Sequence, residues 1–186
     1  MSDALSFLIS TFGTLFCAAL LMRAWIFLRR IPPFNPYSKF IYALTEFIIV
    51  PVRKIIPSSQ HIDWPSLIVA FLICVLQIFL TTYIAQINEV YPINIFYVFV
   101  YALHTLLQNM LTLILWMSII FALMTWINPM APFVPFLRAL IEPLQNPIRQ
   151  LLPNSLKQSG IDLSLMLMMI FIIALQMLLP SLLGIA

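Results

Sequence analysis

Long uncharged runs alternate along this chain with short segments that hold most of its charge. Ala4 to Met22, Trp64 to Asn88 and Leu163 to Ala186 carry no Asp, Glu, Lys or Arg. Each approaches or exceeds the roughly 20 helical residues that cross a hydrocarbon core about 30 Å thick. A fourth uncharged run, Val90 to Leu137, is too long for one span and is interrupted by Pro129, Pro132 and Pro135. The pattern predicts four spanning helices at about 5–28, 65–87, 105–127 and 163–183. Between the first two, Asn35-Pro36 has the make-up of a helix start, with asparagine as cap and proline in the first turn. Phe40, Ile41, Leu44 and Ile48 then recur at helical spacing, while Lys39 and Glu46 fall on another face. This predicts an amphipathic helix over about 36–56, interrupted at Pro51 and lying on the membrane. A second such segment, about 133–152, has Pro143 and Pro147 as expected breaks.

The second half of the chain repeats the first. Glu46, Pro51, Arg53 and Pro57 return as Glu142, Pro147, Arg149 and Pro153, each 96 positions later. Phe40, Ala43 and Leu44 align with Phe136, Ala139 and Leu140, and Trp25 aligns with Trp126. Asp63 finds its counterpart in Asp162 after a three-residue insertion. So long a period marks duplication of a whole structural unit. The expected architecture is therefore an all-α membrane protein of two tandem two-helix repeats, 1–90 and 91–186, each with an amphipathic interfacial helix in its cytoplasmic loop.

Composition agrees, with 63% hydrophobic and only 8% charged residues. The opening Met1-Ser2-Asp3 has no basic region of a cleaved leader, which favours a retained first span. The net charge of +3 is not a nucleic-acid footprint. All nine basic residues lie between Arg23 and Lys157 and flank two segments only, whereas the connection from Asn88 to Asn94 holds Glu89 and no base. The positive-inside bias places both basic segments in the cytoplasm and both termini outside. Arg23, at the cytoplasmic end of the first span, is expected to snorkel to the interface.

Candidate chemistry is sparse. Cys17 and Cys74 fall in apolar spans and read as small hydrophobes. Asp63 and Asp162 precede spans and read as helix caps. Gln77 and Gln176 each lie 14 residues after those aspartates, at similar depth, and read as interhelical hydrogen-bonding groups. His104 and Gln108 stand one turn apart. A metal role for His104 needs a second strong ligand, and His61 belongs to the opposite side of the membrane. No phosphate-cradling glycine loop, cysteine pair with metal spacing, or nucleophile with an evident base occurs, so no catalytic, cofactor or metal residue is assigned. The recurring charges suggest structural pairing across the repeats, Glu46 with Arg149 and Glu142 with Arg53.

Leu20-Leu21-Met22-Arg23-Ala24-Trp25, the Asn35-Pro36 start, the doubled Glu/Pro/Arg/Pro motif and Gly160-Ile161-Asp162-Leu163-Ser164 together resemble the YggT family of bacterial inner-membrane proteins. Where family members often double the glycine and follow the serine with proline, this chain has Gly160 alone and Leu165. The resemblance implies a link to osmotic-stress tolerance, to the division apparatus of Gram-positive bacteria or, in chloroplasts, to haem attachment on cytochrome b6. It implies no catalytic residue. The expected function is a non-enzymatic polytopic inner-membrane protein that assists or scaffolds membrane complexes or envelope homeostasis. The alternative is a small channel or transporter for ions or osmolytes. The expected partners are anionic lipid headgroups and another membrane protein or a second copy. The interaction surface would lie along the repeated motif: Arg23, Glu46, Pro51, Arg53, Pro57 and Asp63, with Glu142, Pro147, Arg149, Pro153 and Asp162.

Overall fold

A computed structural model describes residues 2–85, 95–151 and 162–183. They form six helices and, among the described residues, no strand: α1 (Ser2–Leu28), α2 (Pro36–Ile55), α3 (Trp64–Ala85), α4 (Ile95–Ile127), α5 (Phe133–Leu151) and α6 (Leu163–Leu182). Helices α1, α3, α4 and α6 are long and apolar enough to span a bilayer. Much of their surface is hydrocarbon, including Phe7, Phe12 and Leu15 of α1 and Leu72 and Leu76 of α3. Such a surface suits a lipid solvent and not water. The chain is a multi-pass membrane protein.

Each helix follows from its local sequence. Asn35 caps α2, its Oδ1 accepting from the Tyr37 amide at 3.0 Å, with Pro36 at the first helical position. α1 closes differently. Arg30 adopts a left-handed conformation (φ 52°), the Arg30 amide donates to the Phe27 carbonyl, and the Ile31 amide reaches back to that of Ile26. That is a Schellman ending with arginine where glycine is usual. Two expectations need correction. The prolines do not interrupt the amphipathic helices: α2 continues through Pro51, and α5 through Pro143 and Pro147. Each proline removes one amide donor, and Pro51 and Pro147 project to the exposed side. The third span also starts earlier than 105. α4 begins at Ile95 and runs about 50 Å at 1.5 Å per residue, because neither charge nor proline stops it.

The chain divides into two compact units, Met1–Met110 with Pro180–Ala186, and Leu111–Leu179. In the first, α1 packs along α3, and α2 packs against both. The contact is lined by Cys17, Leu20, Leu21 and Ile26 of α1 and by Val69, Ala70 and Cys74 of α3. Small residues let the two backbones approach, as membrane helices require. Gly13 makes the same accommodation, for a Cβ there would lie 2.6 Å from Oε1 of Gln77. In the second unit, α5 buries Val134, Leu137, Leu140 and Ile141, and turns Arg138, Glu142, Asn146 and Arg149 outward.

Gly13→Leu should therefore destabilise the first unit by about 1–3 kcal/mol, as over-packed sites do, read as a lower melting temperature in detergent. Gly13→Ala should be close to neutral, since the obstructing atom ends a flexible side chain.

Candidate functional site

Arg23 lies nineteen positions beyond Ala4, about 28 Å of helix, so it arrives at the far edge of the hydrocarbon core. There it does not snorkel outward. Its side chain is only 1% exposed and lies between α1, α2 and the start of α3. A buried guanidinium demands partners, because its desolvation costs several kcal/mol unless charge and hydrogen bonds replace water. Nη1 donates to Thr45 Oγ1 at 2.9 Å and to the Tyr42 carbonyl at 3.4 Å, and lies 3.4 Å from Glu46 Oε2. Nε stands 3.5 Å from Oδ2 of Asp63, whose side chain is fully buried; this is an ion pair without an aligned hydrogen bond. The guanidinium carbon lies 4.7 Å from the centroid of the Tyr42 ring, in cation–π range.

Asp63 is the hub. Ser66 donates to its Oδ2 at 2.6 Å and Ser58 to its Oδ1 at 3.1 Å, while Arg53 approaches Oδ1 at 4.0 Å. The aspartate thus secures the first turn of α3 through the Ser66 hydroxyl and ties it to α1 and α2. Burial pushes the Tyr42 phenol above its ordinary range; Asp63 and Glu46 act in the same sense, against Arg23 and Arg53. Beyond the cluster, Arg30 meets Nε2 of the exposed His61 at 2.8 Å, binding the end of α1 to the segment before α3.

The second unit builds its joint from other side chains. Gln145 of α5 donates to both the Asp162 carboxylate and the Ser164 hydroxyl, and the Ser164 amide and hydroxyl donate to Asp162. Asp162 is the cap expected of it. Burial opposes its ionisation, but the hydrogen bonds from Ser164, Gln145 and the Leu165 amide, with the positive field of Arg149, hold its carboxyl below the usual range. Deeper in the same unit, Gln176 donates to Thr112 at 2.9 Å, joining α6 to α4 as expected.

The repeated motif is therefore only partly assembled into a site. Arg23, Glu46, Arg53 and Asp63 come together. Pro51 and Pro57 lie exposed beside them, Glu142 and Pro147 are exposed on α5, Arg149 acts on Asp162, and Pro153 lies outside the described residues. Within their own units, Glu46 meets Arg23, Arg53 approaches Asp63 and Arg149 acts on Asp162. Tyr42, Thr45, Ser58, Ser66 and Gln145 were not singled out in the sequence. Gln145 left a trace: it is a polar residue on the buried stripe of Val134, Leu137 and Ile141. Among the described residues, no three His, Cys, Asp or Glu side chains gather as a metal cluster.

The CCB3/YggT family model matches residues 2–84 and 100–183, which together hold both aspartate joints. The chain belongs to the CCB3/YggT family. It is similar to the uncharacterized protein YggT of Escherichia coli, with 31% identity over 176 residues, covering 94% of this chain and 88% of that protein. An uncharacterized protein of Vibrio alginolyticus, named for its position in the proC 3' region, is 31% identical over 90% of this chain and 89% of its own length. One of Haemophilus influenzae is 29% identical over 89% and 85%. No solved structure matches. In this YggT-family chain the second repeat carries Met124 where the tryptophan alignment places Arg23, and Gln145 where the 96-residue period places Ile49.

Removing one member of the Arg23–Asp63 pair should be far worse than removing both, because a lone buried charge is left behind. Arg23→Met or Asp63→Ala alone should cost about 3–5 kcal/mol. The double variant should recover much of that in thermal unfolding. The depressed Asp162 carboxyl stabilises the second unit above the ordinary aspartate value of about 3.9, and that stabilisation is lost as pH falls below it. Amide hydrogen exchange at the start of α6 should accelerate in that acid range, and Gln145→Leu should weaken the pH dependence.

Proposed function

We propose that this chain is a non-enzymatic scaffold of the bacterial inner membrane, which holds two amphipathic helices against the cytoplasmic leaflet to engage another membrane protein. The observation that carries this reading is the use made of polar groups. Hydroxyls in the spans return to their own helices: Thr81 to the Gln77 carbonyl at 2.9 Å, Thr105 to Tyr101 at 2.8 Å, and Ser118 to Ile114 at 2.7 Å. These hydroxyls need no water to satisfy them. The charged side chains Arg23 and Asp63 are spent fastening α2 to the spans. A channel reading instead needs Gln77, Thr81, Thr82, Ser118 and Gln176 along one wet path.

The two amphipathic helices divide the work. α2 leaves Phe40, Leu44 and Phe47 exposed, with Lys39, Arg53 and Lys54 also exposed. An apolar face flanked by cations fits lipid tails and anionic headgroups, each cation contributing about 1 kcal/mol at such a surface. α5 buries its apolar stripe and presents Arg138, Glu142, Asn146 and Arg149, a polar face suited to a protein partner. The basic segments would face the cytoplasm, with both termini on the far side.

Photo-crosslinkers at Arg138 and Glu142, in cells, should capture a discrete membrane protein or a second copy, while one at Phe40 should capture lipid. Purified protein in liposomes should pass neither ions nor osmolytes. Specific flux that is lost on substituting Gln77 or Gln176 would establish the channel instead.

A further inference from the structure

The two cysteines, 57 positions apart in the sequence, meet in the middle of the first unit. Their sulfurs are 3.6 Å apart, both side chains are buried, and neither is in a disulfide. Around them lies an unusual concentration of polar atoms for a hydrocarbon interior. Gln77, one turn along α3 from Cys74, is buried, and its Oε1 has no hydrogen-bond partner. That atom points at Gly13, which lies one turn along α1 from Cys17. From α4, the Asn109 amide stands close enough to act on both sulfurs, yet its Nδ2 makes no hydrogen bond. Oε1 of Gln108 and Nε2 of His104 are likewise buried without partners. α1 and α3 are packed against each other with Cys17 beside Cys74, and Gly13 and Gln77 lie together on one side of the thiol pair, toward the start of α1 and the end of α3. Unpaired polar atoms are costly in lipid, and so many around two thiols indicate a guest.

The geometry points to a binding site for a thiophilic divalent metal ion, of the class of Zn2+, held by Cys17 and Cys74 with the amides of Asn109 and Gln77 as neutral neighbours. An ion about 2.3 Å from each sulfur would see the pair at an angle of about 100°, close to tetrahedral. A disulfide, by contrast, requires the sulfurs to close to about 2.05 Å. Charge argues for a divalent ion, because two thiolates neutralise it and leave no net charge in a medium that penalises one. Binding breaks two S–H bonds, forms two metal–sulfur bonds and passes two protons to solvent, with no change of oxidation state. Soft thiolates select zinc-like ions over magnesium or calcium, and amide oxygens tolerate either. The polar line from His104 through Gln108 to Asn109 supplies an entry path. Loaded, the site would link α1 to α3 deep within the bilayer.

Cd2+, which absorbs in the ultraviolet when bound to thiolate, is the direct probe. Full-length protein in nanodiscs, anaerobic and with both thiols shown to be reduced, should bind one Cd2+ per chain with that absorption. Zn2+ should displace it, and either ion should shield both cysteines from a small membrane-permeable alkylating agent. Cys17→Ser and Cys74→Ser should each abolish the band. Asn109→Leu should weaken affinity by at least about tenfold, the lower range for supporting groups at metal sites. The wild-type titration decides the matter even if a variant fails to fold. No band at one equivalent of Cd2+ with both thiols reduced overturns the site, as does a band that survives in a folded Cys17→Ser protein.

Discussion

A guanidinium that reaches the edge of the hydrocarbon core must either turn out to water or be supplied with partners, and the first unit is organised around the second course. Arg23 is enclosed by Asp63, Thr45, Glu46 and the Tyr42 ring, so α1, α2 and the first turn of α3 are held at one point. The rest follows from that enclosure. α2 is fixed in place, because its Thr45 and Glu46 are bound to Arg23 of α1. The entry to α3 is equally fixed, because Asp63 accepts from Ser58, on its own side, and from Ser66, inside the helix. Ion pairs of this kind are weak evidence for stability but strong determinants of arrangement.

The two halves reach the same mechanical result by different chemistry. Each has an aspartate before a span, an amphipathic helix packed nearby, and a polar side chain linking them. In the first half the link is a cation, with matching anions. In the second it is the Gln145 amide, which needs no counter-charge, and Arg149 contributes at longer range. Arg30 shows the same preference for function over local comfort. A left-handed residue closing a helix is ordinarily glycine, and a side chain there costs about 1–2 kcal/mol. Arginine at that position spans the turn to His61. A guanidinium has only donors, so Nε2 of His61 accepts and the ring proton sits on Nδ1.

Much of this was legible from the residues alone. Four uncharged runs gave the spans, Asn35-Pro36 gave the start of α2, and Asp162 capped as its type and position suggested. What stayed hidden depends on tertiary approach. Arg23 beside Trp25 looks like an interfacial residue until α2 is seen lying over it. Cys17 and Cys74 show no ligand spacing in sequence, because α1·α3 packing creates their proximity. Pro51 and Pro147 look like breaks because local propensity counts the lost hydrogen bond but not the packing of the opposite face. Gln77 reads as ordinary interhelical glue, yet its oxygen faces Gly13 without a partner.

The replacement of Arg23 by Met124 at the aligned position has a consequence for how the duplicated molecule can be used. An ancestral pair of equal joints would offer a neighbour two interchangeable handles and invite symmetric assemblies. Here one joint is a buried ion pair built from three helices, and the other is an amide clasp between α5 and α6. Copies that have diverged at their fastening points are no longer exchangeable, so whatever grips one has no equivalent grip on the other.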